Sequence, residues 1–333
     1  MQSSDKSIMS DQSNTRKASD CDYDYDIEES RAITIDSSSP APSPKKLKRE
    51  PSRLMFLRLL NSALILKYRD DYDGLFDEVL NGDMGELNDA IKYSIAVHDD
   101  FWELIGYSLL ESAVKAELIS VVKLILKYTN SLNIAVKASD LLFYTCGHQH
   151  LDIAKLLLEH GADVNKWTNV HGKNESCLSF TCRIGNLRMV QLLISRGVDP
   201  NLVCPGGSPP LVRASAYGNI DIVKLLLVNG ADPNSFDHDY DAPLACACSH
   251  GNADAARLLL SYGADINRRN LYGDTPLSIA VQANTVACVQ LLLEYGADPL
   301  ITNKDGDTAL TYALEGSNIA QMITNAELKR VLK

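Results

Sequence analysis

The sequence predicts a solenoid of stacked helical units, and two regularities support that prediction. Between residues 206 and 307, small and apolar residues return at a fixed interval of 33 positions. Each interval also holds a leucine triplet followed by a glycine. A period of this length indicates repeated supersecondary units, because one unit is too small to cover its own apolar face. The recurring positions are Leu211, Leu244, Leu277 and Leu310; Ala214, Ala247, Ala280 and Ala313; and Gly230, Gly263 and Gly296.

The unit at residues 267–300 shows why its first half forms a helix. Residues 270–274 are a polar, glycine-containing turn. Thr275 can cap a helix with its side chain, and Pro276 then occupies the first helical position, where its missing N–H does no harm. The small side chain of Ala280 allows the helices of adjacent units to approach closely.

The second half of the same unit predicts another helix. Val289, Leu292 and Leu293 are spaced to form one buried stripe. Gly296 is expected to end this helix, because glycine adopts the left-handed conformation after a helix without penalty. Each buried leucine contributes roughly 1.5–3 kcal/mol, so stacking of units is favoured.

These segments resemble the ankyrin repeat. The matching stretches are TPLSIAVQ with LLLEYGADP, and also LLLVNGADPN, LLLSYGADIN and LLLEHGADVN. The resemblance covers residues 74–325 and implies L-shaped units of a β-hairpin and two antiparallel helices. The expected fold class is therefore an all-α solenoid with short β-hairpin loops, with about 7–8 units including degenerate caps. The hairpin tips and the inner helices would form a concave binding face.

The chain divides into a tail, a capping helix and the repeat array. Residues 1–52 are rich in Ser and Asp and are expected to be disordered. Residues 53–69 are expected to form an N-terminal capping helix. The array at 70–333 then comprises degenerate first units at 74–137, regular units at 138–304 and a C-terminal cap at 305–333.

Two departures from the period are expected to be visible. Gly161 and Gly197 are separated by 36 positions, three more than the period. This places an insertion in the loop Lys166–Glu175, and insertions in repeat proteins fall in loops. In the last unit, the second helix is expected at Asn318–Ile323, followed by a charged tail from Glu327 that makes a polar cap.

Composition bounds the function. A net charge of −11 argues against a general nucleic-acid binder, which needs a basic face. No apolar run approaches the length of about 18 residues that spans a membrane. Eight cysteines without framework spacing fit a reducing intracellular compartment. The expected location is therefore the nucleus or the cytoplasm, or both.

The tail carries a basic cluster at residues 44–49. It resembles a nuclear localisation signal, which implies an import receptor as a partner; the alternative is a chance cluster in a polar tail. Ser39 and Ser43 each precede a proline and are candidate phosphorylation sites. A phosphate at Ser43 would place about −1.5 to −2 charge beside the cluster. The cluster's basic residues are Lys45, Lys46, Lys48 and Arg49.

Cysteine and histidine residues are the main candidates for metal or catalytic chemistry. Cys146, His148 and His150 lie close in sequence, but a zinc site needs three or four converging ligands. Cys246 and Cys248 should point in directions about 200° apart on one helix. No nucleophile elbow, phosphate-binding glycine loop or HExxH helix is present in the sequence. We therefore expect no enzyme, no metal and no cofactor.

The resemblance implies that a protein partner contacts the hairpin tips and the ends of the inner helices. Exposed Trp, Tyr and Arg dominate interface hot spots, although a loop aromatic can instead pack on its neighbouring hairpin. Asparagines 165, 201, 234 and 267 are implied to stabilise turns. The candidate partner-binding residues are Trp167, His171, Arg183, Ile184, Val203, Tyr217, Phe236, His238, Tyr240, His250, Arg269, Leu271 and Tyr272.

The expected function is a non-catalytic interaction scaffold or adaptor, in one version a nuclear regulator. One alternative is a substrate-recognition subunit of a ubiquitin ligase. Such subunits usually carry a C-terminal adaptor-binding box, and the sequence stops at Lys333 straight after the last expected unit, which counts against this alternative. The other alternative, from a different class, is a Cys/His metal-dependent enzyme.

Overall fold

The computed structural model describes residues 107, 110–128, 132–170 and 173–331. The expected tail at 1–52, the capping helix at 53–69 and the first degenerate unit lie outside these residues, as does His171.

The described part is a succession of helix pairs, as the repeat pattern predicts. We call the first helix of each pair the inner helix and the second, which follows after a short turn, the outer helix. The pairs are residues 110–115 with α1 (Ile119–Tyr128), α2 (Leu132–His148) with α3 (Leu151–Glu159), α4 (Cys177–Ile184) with α5 (Leu187–Ser195), α6 (Pro210–Ala216) with α7 (Ile220–Val228), α8 (Pro243–Ser249) with α9 (Ala253–Ser261), and α10 (Pro276–Gln282) with α11 (Val286–Glu294). The last unit has a 3₁₀ helix (Ala309–Tyr312) and α12 (Asn318–Val331).

The insertion forms an antiparallel β-hairpin before α4. Strand β1 (Trp167–Val170) pairs with β2 (Lys173–Ser176), with Trp167 opposite Ser176. The insertion therefore falls where the glycine spacing placed it. Ser176 also caps α4, because its side chain accepts a hydrogen bond from the backbone N–H of Ser179.

The inner helices pack against each other through the periodic small residues. Ala214, Ala247 and Ala280 are fully buried. The first helices of successive units contact each other more extensively than the second helices do. Small side chains at these buried positions allow the backbones of neighbouring inner helices to approach closely.

The outer helices bury the centre of each leucine triplet. Leu226, Leu259 and Leu292 are fully buried. In α11 one expectation is wrong: Leu293 is only half-buried, and Leu291 is buried instead.

A left-handed residue joins the two helices of each described unit. The role is taken by glycine in the central units, and Gly218, with φ of 70°, is typical. A Cβ atom on Gly218 would lie 2.7 Å from Oδ1 of Asn252. That asparagine reaches back from the next unit and donates its Nδ2 to the carbonyl oxygens of Ser215 and Ala216. Glycine is therefore required both by the backbone and by the neighbouring unit.

Four asparagines, for which the resemblance implied a role in stabilising turns, form hydrogen bonds with the following unit. Asn201 accepts a hydrogen bond from the N–H of Asp232 at 2.8 Å and donates to the carbonyl of Gly230 at 2.9 Å. Asn165, Asn234 and Asn267 accept the equivalent N–H bond from the following unit.

The C-terminal unit departs from the prediction in the length of its second helix. The helix continues past the expected end at Ile323 to Val331, because residues 324–331 contain no glycine or proline to stop it. The end of α12 is held by an ion pair of 2.9 Å between Arg330 and Asp298.

Candidate partner-binding face

The hairpin tips and the inner-helix ends expose large apolar side chains. Eight of them are between 37% and 48% exposed. Exposure alone does not single out this face, since Val228, Tyr262 and Tyr295, at the C-terminal ends of the outer helices, are exposed to a similar degree or more. The eight are Trp167, Ile184, Val203, Tyr217, Phe236, Tyr240, Leu271 and Tyr272.

The polar candidates for partner binding differ in whether their side chains already contact other residues of the chain. His238 and His250 are exposed. Arg269 is exposed, and its Nε donates to the carbonyl oxygen of Gly273 at 3.1 Å. Arg183 is half-buried, pairs with Glu175 at 3.3 Å and lies 4.9 Å from the ring centroid of Phe180. Arg183 therefore braces the hairpin of the insertion, a role that its sequence position alone did not reveal.

Successive tips share one turn, built on an Asp or Asn side chain. Asn270 accepts hydrogen bonds through Oδ1 from the N–H groups of Tyr272 and Asp274, at 3.0 and 2.9 Å. We call residues 269–274 the glycine tip, after Gly273. Asn303 repeats the pattern in the last unit.

The preceding tip, residues 236–241, uses Asp237 in the same way. Its carboxylate accepts the N–H groups of Asp239 and Asp241, each at 3.0 Å. We call this segment the acidic tip. It is linked to the glycine tip by a side-chain hydrogen bond of 2.9 Å from Asn270 to Asp241, and by a backbone bond from Leu271 to Asp239.

Two aromatic side chains of the acidic tip stack on each other. The ring centroids of Phe236 and Tyr240 are 4.8 Å apart, with 9° between the ring planes. The guanidinium carbon of Arg268, from the next unit, lies 5.0 Å from the centroid of Phe236. Phe236 thus packs partly on a neighbouring unit, which was the alternative interpretation of a loop aromatic, while still exposing 41% of its surface.

Tyr240 adopts a backbone conformation that disfavours its own residue type. Its φ is 63°, and the equivalent positions one and two periods later are Gly273 and Gly306, with φ of 85° and 89°. A left-handed conformation costs an L-residue roughly 1–2 kcal/mol, and for a bulky residue it is uncommon. The period already aligned Tyr240 with these glycines, so the signal was available in the sequence.

The carboxyl groups beneath the stack are partly desolvated. Burial, together with nearby Asp237, Asp239 and Asp274, raises the pKa of Asp241 to about 6, although the hydrogen bond from Asn270 opposes the shift. Burial likewise raises the pKa of Asp237. Residues 232–241 contain four aspartates and no lysine or arginine. The acidic tip therefore combines several carboxyl groups with aromatic rings at its surface, and the guanidinium of Arg268 lies against one of these rings.

The two histidines considered as ligands lie near each other, with ring centroids 5.7 Å apart, and each also contacts another residue. Nε2 of His150 lies 2.6 Å from a carboxylate oxygen of Glu117, whereas the ring of His148 packs 4.1 Å from that of Tyr144. Burial lowers the pKa of His148. In the described part of the chain, no three His, Cys, Asp or Glu side chains come together as metal ligands.

The paired cysteines of α8 diverge as predicted. Cys248 lies in the main core, and a hydrogen bond with Cys288, together with burial, raises the pKa of its thiol. Cys246 belongs to a separate small cluster with Val212 and Ala216. Among the helices described, none is long and apolar enough to cross a membrane.

Comparisons with known proteins agree on one family. A model described as "Ankyrin repeats (3 copies)" matches residues 178–270 and 244–330, and "Ankyrin repeats (many copies)" matches residues 142–194. The crystal structure of the human ASB11 ankyrin repeat domain is similar, with 27% identity and a TM-score of 0.56. That match covers 65% of this chain and 96% of the other. No curated protein sequence matches.

Proposed function

Since the chain belongs to the ankyrin repeat family, whose units bind protein partners, we propose that it is a non-catalytic interaction scaffold. The partner would lie across the hairpin tips and the inner-helix ends of the central units. Repeat arrays present an extended surface of this kind rather than an enclosed catalytic pocket.

One observation carries the proposal: four successive units each expose a Trp or Tyr side chain at a hairpin tip or an inner-helix end. Trp167, Tyr217, Tyr240 and Tyr272 are 40–48% exposed. Exposure of such groups does little for folding, whereas Trp and Tyr are enriched among the residues that contribute most to binding. A partner segment following the row of tips would cover them in turn.

The proposal is tested by affinity capture from a cell extract. The bait is the full chain, compared with a variant in which Trp167, Phe236 and Tyr240 are alanine. We expect the variant to lose the principal bound proteins while keeping its melting temperature to within a few degrees. Ubiquitin-ligase subunits among the captured proteins would favour the alternative of a substrate-recognition subunit.

The outer helices supply a matched control. A second variant replaces Val228, Tyr262 and Tyr295 by alanine, three side chains that are at least as exposed on average. This control should retain the captured proteins. If both variants lose the same proteins, or neither does, the tips are not the binding face.

We further propose that the scaffold acts in the nucleus, with the basic cluster at 44–49 as its import signal. The cluster lies outside the described residues, so this proposal rests on sequence pattern alone. Replacing Lys45, Lys46, Lys48 and Arg49 by alanine should move a fluorescent fusion from the nucleus to the cytoplasm. An unchanged distribution would exclude the cluster as the signal.

A further inference from the structure

The acidic tip differs from its neighbours in carrying an aromatic side chain that its backbone does not favour. Tyr240 occupies the left-handed position that glycine occupies in the next two tips. Nearly half of its surface is exposed, so folding gains little from the ring. Residues in unfavourable backbone conformations tend to cluster at binding sites. This suggested a search for a ligand of the Tyr240 ring.

The molecule itself shows which chemical group these rings attract. The guanidinium of Arg268 already lies 5.0 Å from the centroid of Phe236. A guanidinium is attracted to the face of an aromatic ring, and arginine does this more often than lysine. Tyr240 stacks on the same phenylalanine with 9° between the planes, and 48% of its surface is open to an incoming group.

Charge complementarity identifies the same kind of occupant. The side chain of Asp239, next to Tyr240 in sequence, retains 23% exposure, and one of its carboxylate oxygens lies 3.1 Å from Nε2 of the exposed His238. In contrast, the stretch 265–274 of the next unit balances two aspartates with Arg268 and Arg269. The acidic tip therefore repels an acidic or phosphorylated segment and attracts a basic one.

We propose that the acidic tip binds an arginine of a partner protein, with its guanidinium over the Tyr240 ring and beside the carboxylate of Asp239. This inference depends on the proposed scaffold function and adds the chemistry of the partner. The stacked aromatic pair supplies the contact with the guanidinium, and the nearby carboxylates favour a positively charged group over a negatively charged one.

The test measures binding of a short fluorescent peptide to the full chain by fluorescence anisotropy at low salt. The probe is a Gly/Ser peptide that carries arginines, and its neutral match carries glutamines instead. We expect the arginine peptide to bind and the glutamine peptide not to. Tyr240→Gly should weaken binding by about 5- to 30-fold, and Tyr240→Phe should retain it. Asp239→Asn should weaken binding and lower its dependence on salt.

Controls separate this proposal from others. Tyr295→Ala, at an equally exposed tyrosine on the outer helices, should leave binding unchanged. Equal binding of the two peptides, or an equal loss with Tyr295→Ala, would overturn the proposal. Binding that appears only after Lys45, Lys46, Lys48 and Arg49 are neutralised would identify the chain's own tail as the occupant, which also overturns it. If the peptide fails but the triple tip variant loses captured proteins, the scaffold function stands and only the arginine site falls.

Discussion

The acidic tip and the glycine tip share a backbone turn but differ in the side chains that it carries. In both, an Asp or Asn side chain accepts two N–H groups from the residues two and four positions later. The glycine tip places Gly273 where the acidic tip places Tyr240. The hydrogen bonds common to the two tips thus maintain the fold. Tyr240, which departs from the shared pattern, is free to serve binding instead.

The largest expected difference comes from the residue that begins each turn. Asn270→Ala removes two accepted hydrogen bonds and the donated bond to Asp241. At about 1 kcal/mol for each bond, the apparent free energy of unfolding should fall by about 3 kcal/mol. Asp237→Ala removes only the accepted bonds, and burial already raises the pKa of its carboxyl group. Urea denaturation should show a smaller loss for Asp237→Ala, and equal losses would contradict this account.

The next difference concerns the titration of the acidic tip. The pKa of Asp241 is raised to about 6 from its ordinary 3.8, so the folded protein holds a proton there that the unfolded chain releases. The contribution of this carboxyl group to stability is therefore largest below pH 4 and declines as the pH rises through 6. At pH 7 its desolvated charge costs on the order of 3 kcal/mol.

Asp241→Asn tests this titration. The amide oxygen of asparagine still accepts the hydrogen bond from Asn270, but no charge is buried. The melting temperature of the variant, measured between pH 4 and pH 8, should exceed that of the unmodified chain most clearly near pH 8. A variant whose melting temperature does not rise at pH 7, or rises equally at every pH, would show that the desolvated charge of Asp241 does not destabilise the fold.

Gly273 provides a further comparison. A Cβ atom there would lie 3.0 Å from the backbone nitrogen of Lys304, on a residue with φ of 85°. Gly273→Ala should therefore cost about 2 kcal/mol, from the left-handed backbone and the contact together. Gly306→Ala is the matched control, because its φ is 89° but nothing lies within 4 Å of its Cβ position. Its cost should be about half as large. Equal costs in thermal melts would mean that the contact with Lys304 is irrelevant.

The fold was largely predictable from the sequence, because period, caps and buried small residues are local signals. Thr275 and Pro276 open α10 as expected, with a capping box between Thr275 and Ser278. The end of α12 was not predictable in the same way, since its residues only lack a stop signal and helix ends without caps are poorly defined.

The candidate face was predictable as a set of positions but not as a set of contacts. The spacing that places residues at tips says nothing about Arg268 reaching Phe236 across a unit boundary, or about Arg183 pairing with Glu175. Those contacts depend on how adjacent loops lie side by side. The conformation of Tyr240 could have been inferred, because its alignment with Gly273 and Gly306 is visible in the period.

The smallest expected effect isolates the backbone strain at Tyr240. Both Tyr240→Ala and Tyr240→Gly remove the stack on Phe236, but only glycine relieves the left-handed conformation. Glycine also has more freedom in the unfolded chain, which offsets part of that relief. We therefore expect Tyr240→Gly to be more stable than Tyr240→Ala by about 1 kcal/mol. At Tyr217, another exposed tyrosine, φ is −87°, so alanine should be the more stable replacement there. Urea denaturation of the four variants measures both orders. The same stability order at the two positions would show that the backbone of Tyr240 is not strained. The strain would then no longer support a binding role for Tyr240.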